Sequence, residues 1–253
     1  MRGWLRLYAL SVRLGLGYLA RHGYLREAVI RVAIPLEPSR YLELPWARRV
    51  LAARAGERVL DLASPKLLAV ALARAGLEVV SVDQFAAEIE TWRRLAPDVR
   101  FEVADGRTLS FADASFDHAY TASVLEHIPG AGAAEALREL ARIVRPGGRV
   151  AVTLPYAEEA WEEWRDEALY GEGRSGRSFF QLWYDDARVE QLAAAAPELE
   201  LVSRDVVRMQ PNWNRAYVRT FPWLLPLGPV FGLLARERSG AGGDVVRLLF
   251  VRR

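Results

Sequence analysis

The chain has 253 residues, of which 51% are hydrophobic and 26% charged, and its formal net charge is +2. That composition suits one large globular α/β unit with additions, able to bury its own core, and the near-even charge balance argues against nucleic-acid binding. Cysteine is absent, which excludes disulfides, thiolate metal sites and a thiol nucleophile, and fits a reducing, cytoplasmic setting.

Residues 1–31 carry six arginines against a single acid, Glu27. Trp4, Leu5, Tyr8, Val12, Leu16 and Leu19 interleave with those arginines at helical spacing, which predicts a basic amphipathic helix. Such a helix either packs over a site or lies on an anionic membrane surface. Arginines interrupt the apolar stretch and no small-residue cleavage site follows, so it does not read as a signal peptide. No run reaches the roughly 18 apolar residues of a membrane span.

From residue 58 the pattern alternates between strand and helix. Residues 58–63 form a short apolar run suited to a strand buried on both faces. Pro65 fits the first turn of a helix over 67–75, which Gly76 ends. A second strand over 77–82 closes on Asp83, a helix follows at 86–95, and strands are predicted at 99–103 and 116–121. Residues 133–144 place Leu137, Leu140, Ala141 and Val144 on one helical face, Pro146-Gly147-Gly148 stops that helix, and a fifth strand covers 149–154. Alternation of this kind implies a parallel sheet. Two further strands, at 200–209 and 245–252, bring the expectation to a seven-stranded, mostly parallel sheet with helices on both faces.

The remaining segments are less regular. Trp161 and Trp164 lie three apart on a predicted helix and so share a face, while Asp185 or Asp186 caps a helix through Val189 and Leu192. Gly171, Gly173 and Gly176 suit either a moving gate or a loose loop. Residues 221–235 hold three prolines and cannot be one straight helix. The chain thus divides into an N-terminal helical segment covering the site (1–50), a core (51–155), an inserted lid (156–190) and C-terminal strands completing the sheet (191–253).

In an open parallel sheet, ligands bind beyond the carboxyl ends of the strands, where the strand order reverses. The first strand ends near Asp61 and Ser64, the second at Asp83, the third near Asp105 and the fourth around Ser123 to His127. An acid closing the second strand can accept both hydroxyls of a ribose, or it can cap the following helix. The three histidines are scattered and lack the spacing of a metal site.

The segments VLDLASPKLL (59–68), VVSVDQF (79–85), VADGRTLSFADASFDHAYTASVLEHIP (103–129) and LRELARIVRPGGRVAVTLP (137–155) occur in an order that resembles class I S-adenosylmethionine (SAM)-dependent methyltransferases of the type 11-like group. The resemblance covers about the central 100 residues. It implies a Rossmann-like α/β core with SAM as cofactor. It also implies that Asp61, Ala63 and Ser64 belong to the methionine-binding loop, and that Asp83, with Gln84 beside it, holds the ribose. Asp105 and Gly106 would lie near the adenine amino group, and Thr121 and Ser123 would line the methionine part. His127 matches the histidine that follows this motif in many relatives and is the nearest candidate general base; the other reading is that it orders its loop by hydrogen bonding. Tyr156, just past the fifth strand, would face the reactive methyl.

One departure stands out. Relatives carry a glycine-rich D-x-G-x-G-x-G after the first strand, whereas this chain reads Asp61-Leu62-Ala63-Ser64-Pro65-Lys66 and has no glycine there. Lys66 is the only lysine of the chain. Either Ser64 and the Lys66 ammonium contact the SAM carboxylate in place of glycine backbone, or SAM binding is lost and the protein is a non-catalytic relative. Arg40, Tyr41 and Glu43 would cover the cofactor. Phe179, Phe180, Trp183 and Tyr184 would line an apolar or planar acceptor pocket, or form the core of a lid. The expected function is in-line methyl transfer to a small molecule, the alternatives being a silent binding module and a membrane-surface enzyme acting on a lipid or quinone.

Overall fold

The computed structural model describes residues 3–33, 36, 39–165, 178–210, 236–240 and 244–253. The glycines at 171, 173 and 176 and the proline-broken stretch 221–235 lie outside the described residues.

Five strands form the parallel heart of the sheet: β1 (Arg58–Leu62), β2 (Glu78–Asp83), β3 (Arg100–Val103), β4 (Phe116–Ala122) and β5 (Val144–Pro155). Two more strands, β6 (Trp161–Arg165) and β7 (Ser178–Trp183), pair separately as an antiparallel hairpin. The C-terminal strands β8 (Leu199–Gln210), β9 (Arg236–Ser239) and β10 (Val245–Arg252) extend the main sheet, with β10 antiparallel to both β5 and β8. The order is β3-β2-β1-β4-β5-β10-β8-β9, eight strands rather than the seven expected, because β9 adds a short edge. The reversal of order falls between β1 and β4, so the polar residues ending those strands share one crevice region.

Seven helices are described: α1 (Gly3–His22), α2 (Leu25–Ala33), α3 (Arg40–Leu51), α4 (Leu67–Ala73), α5 (Ala86–Leu95), α6 (Gly132–Ile143) and α7 (Asp186–Ala194). Side chains alternate across a strand. Val59 and Val79 therefore enter one core with α1, α3, α4 and α5, while Leu60, Leu62, Val80 and Val82 enter the other with α6 and α7. The same alternation carries Asp61 onto the first face, where the register sets it beside Ser81 on β2 and Tyr120 on β4. A row of polar groups is thus built into that core by strand pairing alone.

Several details differ from the expectation. Pro146-Gly147-Gly148 lies inside β5, which begins at Val144 directly after α6, and pairing with β4 shifts register there. A Cβ on Gly148 would come within 2.3 Å of the Asp117 carbonyl oxygen, so only glycine fits that approach. Trp161 and Trp164 sit on β6, not on a helix, and find separate partners: Trp161 stacks on Trp183 at 5.5 Å and Trp164 meets Phe179 edge-on at 5.7 Å. In α1 the buried stripe is Trp4, Leu7, Leu10, Leu14 and Tyr18; Leu5, Tyr8, Val12 and Leu19 flank it and Leu16 is exposed. This helix packs on α3, α4 and α5, and α2 folds back along it past Gly15. Among the described residues no helix is long and apolar enough to cross a membrane.

Candidate active site

Asp61 is fully buried at the end of β1. It accepts hydrogen bonds from the Ser81 hydroxyl (2.7 Å) and the Ser64 amide (3.1 Å), and the Tyr120 side chain faces it. Burial raises its pKa, and the nearby Lys66 ammonium opposes the rise. The chain turns at Ala63, whose φ of 52° places it in the left-handed region that favours glycine. The Ser64 hydroxyl then accepts from the Ala122 amide (2.9 Å), stitching the loop after β1 to the end of β4. Asp61 and Ser64 are therefore committed to shaping the loop.

Lys66 departs most from its expected role. Its side chain is buried, and the ammonium donates to Asp83 Oδ2 at 2.7 Å and to the Ser64 carbonyl at 2.9 Å. A buried cation requires a counter-charge, and the acid closing β2 supplies it. The ammonium is thus not on the surface, and both of its recorded partners belong to the chain itself. Asp83 Oδ1 accepts from the Phe85 amide (3.1 Å), while Gln84 between them is exposed. The N-cap position of α5 is Phe85 and receives no side-chain cap, so Asp83 turns the chain ahead of the helix and holds a lysine as well.

The third strand end is more open. Asp105 forms a forked pair with Arg107, which lowers its pKa chiefly through those hydrogen bonds, and Gly106 packs on Leu62. At the end of β4, Thr121 is buried, and its Oγ1 has no hydrogen-bond partner among the described residues.

Beyond β4 a buried polar cluster forms. Ser123, at φ 50°, donates its hydroxyl to Glu43 Oε1 of α3 (3.1 Å), and Arg40 pairs with the other oxygen of Glu43. This contact ties α3 to the strand end, and Tyr41 packs edge-on against Trp4. A 3₁₀ turn, Leu125–His127, brings Glu126 into the same cluster. Glu126 is 1% exposed and its pKa is pushed up to about 8, mainly by burial and further by Glu43, against the pull of Arg40. Its Oε2 has no partner among the described residues. Sequence reasoning passed over Glu126; the available cue was an acid set inside the apolar run SVLEHIP.

His127 Nδ1 lies 2.7 Å from the Phe180 carbonyl on β7, and the ring meets Phe180 edge-on at 5.0 Å. A carbonyl only accepts, so Nδ1 carries the proton. Tyr156 donates to Asp186, the first residue of α7, and that bond raises its pKa. Of the aromatic run, Tyr184 is buried, while Phe179, Phe180 and Trp183 pair with Trp164, His127 and Trp161. No group of histidine or acidic residues among the described residues is arranged to hold a metal.

Residues 60–152 match the family model described as "Methyltransferase domain". That central stretch is thus similar to class I SAM-dependent methyltransferase domains.

A demethylmenaquinone methyltransferase from Beutenbergia cavernae is 39% identical over 130 residues, covering 50% of this chain and 52% of the relative. The chain thus spans about half the length of the curated relatives it matches. Among solved structures, a 1,6-didemethyltoxoflavin-N1-methyltransferase from Burkholderia thailandensis, with 1,6-didemethyltoxoflavin and S-adenosylhomocysteine bound, aligns with a TM-score of 0.55 at 16% identity, over 85% of this chain and 80% of that one. The [4+2]-cyclase SpnF aligns with a TM-score of 0.54 at 16% identity, over 83% and 80%. One fold thus carries different chemistries, and the acceptor has to be argued from the site.

The cofactor of this domain class is SAM, and the residues present fit it in kind. The matched region has an acid at the end of β2, a left-handed turn after β1, Gly106 beyond β3 and, at Thr121, a buried hydroxyl with no partner among the described residues. Asp83 would hold the ribose, and Thr121 with the loop 63–66 would meet the methionine part. The one misfit is the ammonium already resting on Asp83.

Proposed function

We propose that this protein is a SAM-dependent methyltransferase of small molecules, with a quinone-type ring as acceptor. The single observation that carries the reading is the placement of Asp83, a carboxylate ending β2 next to the β1–β4 reversal, inside a matched methyltransferase domain. The name of the Beutenbergia relative supports the quinone class. So do the planar residues near His127, with Phe180 edge-on to its ring and Trp161 stacked on Trp183 in the same hairpin.

When bound, the cofactor would supply an activated methyl group on a positively charged sulfur, which the acceptor's nucleophilic atom would take. The chain's own residues align the acceptor and remove its proton, and alignment provides most of the rate. His127 is held by the Phe180 carbonyl with its lone pair on Nε2, and that nitrogen takes the acceptor's proton. Glu126, beside it, has its pKa pushed up to about 8 by burial and so keeps its own proton at pH 7 instead of taking the acceptor's. Tyr156 is assigned to tying β5 to α7.

The test is calorimetry of the purified protein with S-adenosylhomocysteine, followed by methyl transfer to hydroxylated quinones. Asp83→Asn should weaken binding at least tenfold, and His127→Ala should lower turnover while leaving cofactor affinity unchanged. Equal cofactor binding by Asp83→Asn would sink the ribose assignment.

A second feature favours work at a membrane surface. Leu16, Tyr24, Leu25 and Val29, each more than half exposed, all lie on the α1–α2 hairpin. The first 31 residues carry a formal +5, more than the +2 of the whole chain. Apolar side chains among arginines suit an anionic bilayer, where a quinone would be found.

A further inference from the structure

Burying an ammonium costs several kcal/mol of hydration, yet the chain sets its only lysine at 2% exposure against the carboxylate that ends β2. Both oxygens of Asp83 are engaged by the chain itself, Oδ2 by Lys66 Nζ at 2.7 Å and Oδ1 by the Phe85 amide at 3.1 Å. A second bond from Lys66, to the Ser64 carbonyl at 2.9 Å, holds the ammonium in place. Asp61 is too occupied with Ser81 and Ser64 to take the cation over.

On the reading that Asp83 holds the ribose of SAM, we propose that Lys66 is an internal latch on the cofactor site. Its ammonium rests on the carboxylate in the ligand-free chain and withdraws before a ribose diol binds. The two hydroxyls of a ribose seek the same oxygens. The ammonium and the carboxylate are a pair of opposite charges, whereas a ribose hydroxyl brings no charge of its own, so ribose alone displaces the ammonium at a loss. The lysine stem has four rotatable carbons, so the head group leaves without movement of the loop backbone. Where relatives have glycines that open the loop, this chain has a side chain that closes it. The latch discriminates most against small nucleosides, which bring few contacts to offset the lost ion pair.

The single lysine makes the test direct. In protein labelled with ¹⁵N at lysine Nζ, the ammonium gives one signal, slow to exchange with water while Lys66 is buried. Titration with 5′-methylthioadenosine, which has the ribose and base but no carboxylate, should move that signal to a fast-exchanging, exposed position as the site fills. In calorimetry, Lys66→Met should bind the same nucleoside at least tenfold more tightly than the wild type. Saturable binding with an unmoved lysine signal, or a variant that binds no more tightly, overturns the latch and leaves the cofactor reading intact. If neither methylthioadenosine nor S-adenosylhomocysteine binds the folded wild type or the variant, the cofactor reading falls and the latch with it. Should Lys66→Met fail to fold, the wild-type titration decides alone.

Discussion

Lys66 and Asp83 are mutual counter-ions in the interior, so removing either strands the other. Asp83→Ala should cost about 3–5 kcal/mol of stability. The pair Lys66→Met with Asp83→Leu should recover most of that, because an apolar pair of similar size avoids both desolvation costs. Urea unfolding of the two single variants and the double variant measures it, and additive losses would show that the pair is not coupled. Glu126 gives a second prediction. Its folded pKa of about 8 stands above the unfolded 4.5, so between those values the folded chain keeps a proton that the unfolded chain has lost. Stability from this group is therefore greatest at low pH, falls as pH rises from about 4.5 to 8, and is level above. Glu126→Gln should remove that slope and gain on the order of 3 kcal/mol at pH 8.5 relative to pH 4.5. Parallel curves for the two proteins in unfolding at both pH values would refute it. Ala63, held at φ 52°, should gain about 1 kcal/mol on replacement by glycine, read as a higher Tm.

Among the elements, α7 depends on one side chain. Asp185 accepts from the Arg188 amide at 2.8 Å as N-cap, and its other oxygen accepts from the Ala160 amide at 3.2 Å. The same residue therefore starts the helix and anchors the stretch that leads into β6. Asp185→Ala should cost about 1–2 kcal/mol and loosen the β6–β7 hairpin that holds His127, so hydrogen exchange at Phe180 and Gln181 should quicken. Unchanged exchange there would show that the hairpin stands without the cap. Capping was legible from the sequence, since an acid preceding an apolar helical pattern has a local cause. The form of residues 161–165 was not. Two tryptophans three apart fit a helix, but cross-strand stacking of Trp161 on Trp183 satisfies them in a strand, and that partner is distant in sequence.

Across the whole molecule the charge is uneven, with the N-terminal 31 residues basic and the rest acidic on balance. Together with the exposed apolar residues of the α1–α2 hairpin, this predicts sedimentation with phosphatidylglycerol vesicles and little with phosphatidylcholine. Replacing Leu16, Leu25 and Val29 by serine should abolish it without changing the fold, because none of the three is in the core. Equal recovery on both lipids, or no loss in the triple variant, would remove the membrane reading. The seven-strand expectation was nearly complete because alternating strand and helix patterns are local, and a sheet with helices on both faces is the arrangement that buries them.

The sequence by itself determined which residues end the first strands, where strand and helix alternate, and that an acid closes β2 within a methyltransferase-like pattern. Those features follow from periods of two and 3.6 and from residue chemistry, and they need no knowledge of distant neighbours. Only the tertiary structure decided what those end residues touch. Lys66 meets a carboxylate 17 positions away, Ser123 meets Glu43 across 80, and Glu126 turns inward rather than to water. A side chain's partner, and so its charge state and its freedom to bind a ligand, is fixed by which elements pack together, and that is a property of the assembled core.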